Sequence, residues 1–200
     1  MTERHVYEFY NQTLKPLFME IEAKGNTLPV EALFEIHAAF DHLKRYHLNE
    51  CAENICCEKA LSHLKRGALD IFKLKLKHFN DTYSAMIATL RNELQIIDNG
   101  NFLPSLIKKR ESLIITAKQA RLDEGQSDVA VAFEKWCDAS LIIDEIESVY
   151  FDTMNEKIEW AKGTVKRKRL KSLFREQGLG FLIGIVSGVV ATIVYSLIFG

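Results

Sequence analysis

Apolar residues recur every three or four positions through most of this chain, which is the helical period, and no segment keeps the two-residue alternation of a strand. The only prolines are Pro16, Pro29 and Pro104. A first helix is predicted over residues 2–23, stopping at Lys24-Gly25-Asn26. A second starts near Pro29, a favoured first-turn residue, with Leu33, Ile36, Phe40 and Leu43 on one face. The third pattern is the longest, with a stripe through Ala52, Ile55, Cys56, Ala60, Leu64, Ala68, Ile71, Phe72, Phe79, Tyr83, Met86, Ile87 and Leu90. Unbroken, about 40 residues make a rod of roughly 60 Å, with Gly67 or Asn80-Asp81 as the places for a bend. Asp98-Asn99-Gly100-Asn101 predicts a turn. A fourth helix extends from Pro104 to near Gly125. A fifth, N-capped by Ser127 or Asp128, carries Val129, Phe133, Trp136, Ile143 and Tyr150 along a stripe interrupted by Ser140 and Glu147. Its opposite face, with Asp138, Glu145, Asp152, Glu156 and Glu159, reads as a solvated acidic surface. The expected fold is all-α, a long-helix antiparallel bundle over residues 1–161.

The pattern changes twice after Ala161. Residues 162–178 carry Lys162, Lys166, Arg167, Lys168, Arg169, Lys171 and Arg175 against the single acid Glu176, which makes a basic juxtamembrane stalk. Residues 179–200, LGFLIGIVSGVVATIVYSLIFG, hold no charge and are dominated by Leu, Ile, Val and Phe. An apolar helix of about 20 residues spans a hydrocarbon core of roughly 30 Å, so one C-terminal transmembrane helix is predicted here. The charged start, MTERHVYEFYNQ, lacks the apolar region of a secretory signal. Cations on the N-terminal side of the span then predict a single-pass, tail-anchored protein with a cytoplasmic body, on a bacterial inner membrane. Helical periodicity continues through the stalk, with Gly163 and Gly178 as expected hinges. The net charge of −1 conceals an asymmetry: upstream of Lys162 there are 19 Lys and Arg against 26 Asp and Glu, about −7 in all. That sign disfavours nucleic-acid binding through the body's overall field.

Within the predicted span, Gly180, Gly184, Gly188, Thr192 and Ser196 recur at four-residue spacing. Small residues in a row let helix backbones approach closely, which is what association in lipid requires, so a homo-oligomer through this row is expected. Ser187 and Tyr195 lie beside the row and are candidates for lining a narrow wet path in a ring of such helices. The plain alternative is a dimer or a passive tether. The stalk has two readings as well: Lys166, Arg167, Lys168, Arg169, Lys171 and Arg175 grip anionic lipid headgroups, or they only fix topology.

Catalytic chemistry finds no footing. Phosphate-loop and dinucleotide-loop signatures are absent, and no cofactor or small-molecule substrate is implied. Cys51, Cys56, Cys57 and His63 come nearest to a metal set, but neighbouring positions on a helix diverge by about 100° and the spacing fits no zinc pattern. His37, His42 and His47 recur every five residues and scatter around a helix. All four cysteines, Cys137 included, are expected as thiols on the reducing side of a membrane, and Cys137 beside Trp136 has no neighbouring base.

The segment at 42–74, above all HLKRGALD at 63–70, resembles the central helices of HEPN-type helical domains, with Gly67 where alanine is usual. The resemblance covers about 33 residues. Ribonucleases of that type use an Arg and a His four to six residues apart. Here Arg45 precedes His47 by two and Lys73 stands where arginine is required before His78, so the resemblance implies a catalytically silent domain. Such a domain joined to one transmembrane helix is similar to membrane effectors of prokaryotic antiviral defence, which implies oligomerisation and membrane permeabilisation on a cytosolic protein, nucleotide or nucleic-acid signal. The other reading is a non-enzymatic tether or adaptor presenting a helical interaction domain.

Overall fold

The computed structural model describes residues 1–126, 129–152 and 154–199, with side chains described except at 173, 175–180, 182, 191–192, 194–195 and 198–199. All regular structure among them is helical: α1 Glu3–Phe9, α2 Lys15–Gly25, α3 Val30–His47, α4 Glu53–Leu94, α5 Phe102–Gly125, α6 Val129–Ile146 and α7 Met154–Phe199. The chain divides into two compact units, Met1–Arg91 with Pro104–Asp152, and Asn92–Leu103 with Thr153–Gly200. The all-α expectation holds. The expected N-caps Ser127 and Asp128 lie outside the described residues.

The first unit is a helical bundle with α4 as its hub. The helix runs unbroken for 42 residues, about 63 Å, through both places where a bend was expected. Asn80 lies within the helix, its Nδ2 donating to the Leu76 carbonyl at 3.0 Å. The apolar stripe is buried at Cys56, Ala60, Leu64, Ala68, Ile71, Phe72, Phe79 and Met86, whereas Ile55 is exposed. Burial extends beyond the stripe to Cys57, Leu69 and Leu76 because helices pack on several sides of α4. Phe72 meets Phe133 of α6, while Phe79 stacks on Phe151 at 5.9 Å.

α1 and α2 form the single helical run expected, widened by a π turn at Tyr10–Leu14. Pro16 is the physical reason: it has no N–H for the carbonyl of Gln12, and its ring would press on that oxygen in a regular turn. The run ends at Asn26, whose φ of 44° is left-handed, a conformation asparagine tolerates.

α3 corrects the sequence reading. Leu33 and Phe40, expected on the core face, are exposed, and the buried residues are Ala32, Ala39 and Leu43. The cause is close approach to α4 at Gly67, where a Cβ would lie 3.3 Å from Glu35 Cβ and 3.5 Å from the Ala32 carbonyl oxygen. Only small residues fit that seam, so Leu33 is left outside it and Phe40 lies to one side, its ring edge-on to Tyr10 with centroids 5.7 Å apart. The thiol expectation is corrected too, because Cys51 and Cys56 are joined in a disulfide. Cys51 precedes α4, in a turn whose Asn49 is left-handed, and this brings its Cα to 6.2 Å from that of Cys56. That distance suits a disulfide.

In α6, Trp136 and Ile143 are buried as expected and Phe133 sits between Phe9 and Phe72. Ser140, an interruption in the stripe, is itself buried. A π turn at Glu147–Phe151 follows.

In the second unit, the predicted turn is present as Ile97–Gly100. Asp98, Asn99 and Gly100 have φ of 51°, 56° and 88°, three left-handed residues in sequence that only this residue chemistry accepts cheaply. Lys157 of α7 donates to Asp98 Oδ2 at 2.9 Å. α7 then continues for 46 residues, about 69 Å, through Gly163 and Gly178 without the expected hinges. The sequence boundaries at 161/162 and 178/179 therefore fall inside one helix. Among the described residues, no helix is long and apolar enough to cross a membrane.

Candidate functional site

The residues singled out in the sequence lie along α7. Lys166, Arg167, Lys168, Arg169 and Lys171 are exposed, as is Phe174. The side chain of Arg175 lies outside the described residues, as do Gly180, Thr192 and Tyr195 of the small-residue row and its border. A methyl group placed on Gly184 or Gly188 would meet no atom within 4 Å. Ser187 and Ser196 are also exposed, and both hydroxyls donate back to their own helix, to the Gly184 carbonyl at 3.0 Å and the Ile193 carbonyl at 2.9 Å. This back-bonding satisfies the hydroxyls without water.

The most constructed polar cluster lies in the first unit and was missed in the sequence. Lys75 is 3% exposed, and its ammonium lies 3.0 Å from Glu20 Oε1 and 2.7 Å from Asp144 Oδ1. Lys24 joins Glu20, at 2.7 Å, to Glu147. Burial pushes the Glu20 carboxyl upward, but hydrogen bonds from Lys24 and Lys75 outweigh it and hold the group below its ordinary range. Burial likewise opposes the charge on Lys24, but hydrogen bonds to Glu147 and Glu20 raise it above the ordinary lysine value. Glu20, Asp144 and Glu147 bring carboxylate oxygens within 4.8 Å of one another. With two ammonium groups already among them, a cation would have to displace both, so the cluster reads as a structural lock joining α2, α4 and α6. Its sequence signal was faint but present: Lys75 falls four residues after Ile71 and four before Phe79, on the buried stripe.

The segment at 63–70 that carries the family resemblance sits at the α3–α4 seam. His63 Nδ1 donates to Glu35 Oε2 at 2.6 Å, and the His42 ring stacks on His63 with centroids 5.2 Å apart. Partial burial, then the neighbouring His63, Lys59 and Arg45, push the His42 imidazole below its usual value against the pull of Asp41. Lys73 and His78 do not converge: Lys73 pairs with Asp70 at 3.1 Å and Glu124 at 2.6 Å, while the His78 ring lies against Gly25. His47 faces Glu3 at 3.0 Å. His42 and His47, two of the three histidines spaced by five, thus have separate surroundings.

The near-metal set is likewise dispersed, since Cys51 bonds Cys56, Cys57 is buried and His63 is turned to Glu35. Burial, then the charges of Glu53 and Glu3, push the Cys57 thiol up. Burial, then Asp138 and Glu134, do the same to Cys137. Both shifts disfavour the thiolate that a nucleophile needs. The chain matches no protein-family model, no curated protein and no solved structure.

Proposed function

We propose that this protein is a single-pass membrane effector: a cytosolic helical body receives a signal, and the 179–200 helices of several copies associate through their glycine row and perturb the bilayer. The observation that carries this reading is the outer half of α7. Phe181, Ile183, Ile185, Val186, Val189, Val190, Ile193 and Leu197 are all exposed. At about 100° per residue they spread over roughly 200° of the helix circumference. A helix apolar over so wide an arc is stable only inside a large core or in lipid. Gly184 and Gly188 lie outside that arc, on the side left for close helix contact. The exposed cations at 166–171 would meet an anionic leaflet at the cytosolic boundary. Continuity of α7 supports mechanical coupling between its start and the membrane stretch. A role in prokaryotic antiviral defence, with a HEPN-like silent domain as receiver, belongs to the same proposal and rests on the resemblance at 63–70.

The test is Gly184→Leu with Gly188→Leu in the full chain. The expected outcome is retention in the membrane fraction after alkaline extraction, loss of detergent-resistant oligomers, and loss of membrane depolarisation on overexpression. Depolarisation undiminished in the variant would sink the effector reading. If neither the protein nor the variant depolarises the membrane but both recruit a partner there, the function is a tether. Recovery of the protein in the soluble fraction would remove the membrane reading altogether.

A further inference from the structure

We infer that Cys51 and Cys56 form a reversible thiol–disulfide site, reduced by a dithiol, whose state decides whether the start of α4 and the docking of α1 against it are held. Two helix ends meet at this corner, and they are satisfied in different ways. α3 closes on its own backbone: the Asn49 amide donates to the Tyr46 carbonyl and the Glu50 amide to the Arg45 carbonyl, both at 2.9 Å, around a left-handed Asn49. This paired pattern satisfies the last carbonyls of a helix without any side chain. α4 starts with less. The Cys56 amide donates to the Ala52 carbonyl at 3.0 Å, which makes Ala52 the capping residue, and alanine has no side-chain oxygen for the open amides of the first turn.

Cys51 and Cys56 stand on either side of that cap, at the residue before it and at the fourth residue of the helix. An apolar pair at these two positions often fixes the angle at which the chain enters a helix. Here the pair is covalent, with Cα atoms 6.2 Å apart, and the bond does the work of the absent cap. α1 depends on the same turn: Glu53 Oε1 accepts from the Glu3 amide at 3.3 Å, and the Glu3 carboxylate faces His47 at 3.0 Å. Fraying of the first turn of α4 therefore withdraws the carboxylate that meets the start of α1. The two sulfurs differ in access, since Cys51 is half-buried and Cys56 is 1% exposed. An incoming thiolate reaches Cys51, forms a mixed disulfide with it and releases Cys56 as a thiolate, which takes up a proton. The second thiol of the reductant, as its thiolate, then attacks the reductant sulfur of the mixed disulfide and releases Cys51, which is protonated in turn. One dithiol becomes a disulfide and the protein gains two thiols. The supply of that dithiol rests on the cytosolic placement proposed above, where a protein disulfide is characteristically transient. Cys57 is a poor competitor for either sulfur, being buried and close to Glu53 and Glu3.

The experiment uses the full chain in mild detergent, air-oxidised and then incubated with or without dithiothreitol under native conditions. After an acid quench, free thiols are alkylated and located by peptide mass, and amide hydrogen exchange is followed on the same samples. Without dithiothreitol, Cys57 and Cys137 should be alkylated and Cys51 and Cys56 should not; with it, all four should be. Exchange over residues 3–9 and 53–57 should rise about tenfold or more on reduction, because the bond no longer constrains the open turn, while residues 132–143 of α6 should not change. Cys51→Ser should exchange at the faster rate with or without dithiothreitol, and Cys57→Ala should keep both the bond and its response. The comparison of oxidised with reduced native chain needs no variant to fold. Alkylation of Cys51 in the air-oxidised protein, a bond that yields to dithiothreitol only in denaturant, pairing with Cys57 instead of Cys56, or equal exchange in the two states would each overturn the assignment. Neither readout involves depolarisation, so failure of this site and failure of the effector reading are told apart.

Discussion

α4 and α7 are nearly the same length, 42 and 46 residues, and obey the same local rules, yet they solve opposite problems. α4 buries most of its apolar side chains, and even a lysine, among the helices of its unit. α7 buries Met154, Ile158 and Ala161, then exposes its cations at 166–171, and beyond them exposes large apolar residues from Phe181 to Leu197. A helix with one stripe is completed by protein. A helix apolar over most of its girth needs a wider apolar surrounding than one stripe does. Backbone propensity therefore explains why each helix forms, while the arc of apolar side chains decides what it forms against.

The contrast is broken most severely at Lys75. Lys75→Ala would remove two charged hydrogen bonds and open a cavity, while Asp144 stays half exposed to water and Glu20 keeps Lys24, so it should cost about 1.5–3 kcal/mol in urea-induced unfolding. Replacing Lys75, Glu20 and Asp144 together by Met, Leu and Leu should recover much of that loss, because an apolar set of similar volume needs no charge compensation. A loss below about 1 kcal/mol for the single variant would mean that the lock is absent.

A pair of glycines sharpens the comparison. Gly67→Leu in α4 should destabilise by about 1–3 kcal/mol, since the side chain would enter a seam already at 3.3 Å from Glu35. Gly163→Ala in α7 meets nothing within 4 Å and should stabilise the helix by roughly 0.5–1 kcal/mol. Thermal unfolding of the two variants should therefore move in opposite directions. Equal shifts would show that α4 and α7 are not packed differently at these positions.

The smallest expected effect is a pH dependence confined to the α2–α4–α6 lock. The Glu20 carboxyl is held below its ordinary value in the folded protein, so its contribution is fully present above the unfolded-state value and is lost as pH falls through the depressed one. Lys24 is raised, so its contribution is present below the ordinary lysine range and is lost as pH rises through the raised value. Urea midpoints should thus fall at both extremes, and Glu20→Gln should flatten the acidic limb. An acidic limb unchanged in that variant would place the acid sensitivity elsewhere.

Much of this was legible in the sequence, and the parts that were not share a cause. The 98–101 turn was readable because Asp-Asn-Gly names a backbone conformation directly. Helix ends at Asn26 and Pro29 were readable for the same reason. The burial of Lys75, the exposure of Leu33 and Phe40, and the Cys51–Cys56 bond were not, because each depends on what lies across from a residue rather than beside it. Gly67 is instructive here. In the sequence it looks like a possible bend, whereas in the fold it is the point at which α3 comes close enough to exclude any large side chain.

The sequence by itself determined that the chain is helical, where several helices stop, that the body is acidic and the 162–178 segment basic, and that residues 179–200 carry no charge. These follow from properties with a local period or a local sum. Only the tertiary structure decided which side of α3 faces inward, that an ammonium is held among carboxylates from α2 and α6, and that Cys51 reaches Cys56. A helical period fixes the angle between side chains on one helix, but the direction of the core is set by its neighbours, and no single helix contains that information.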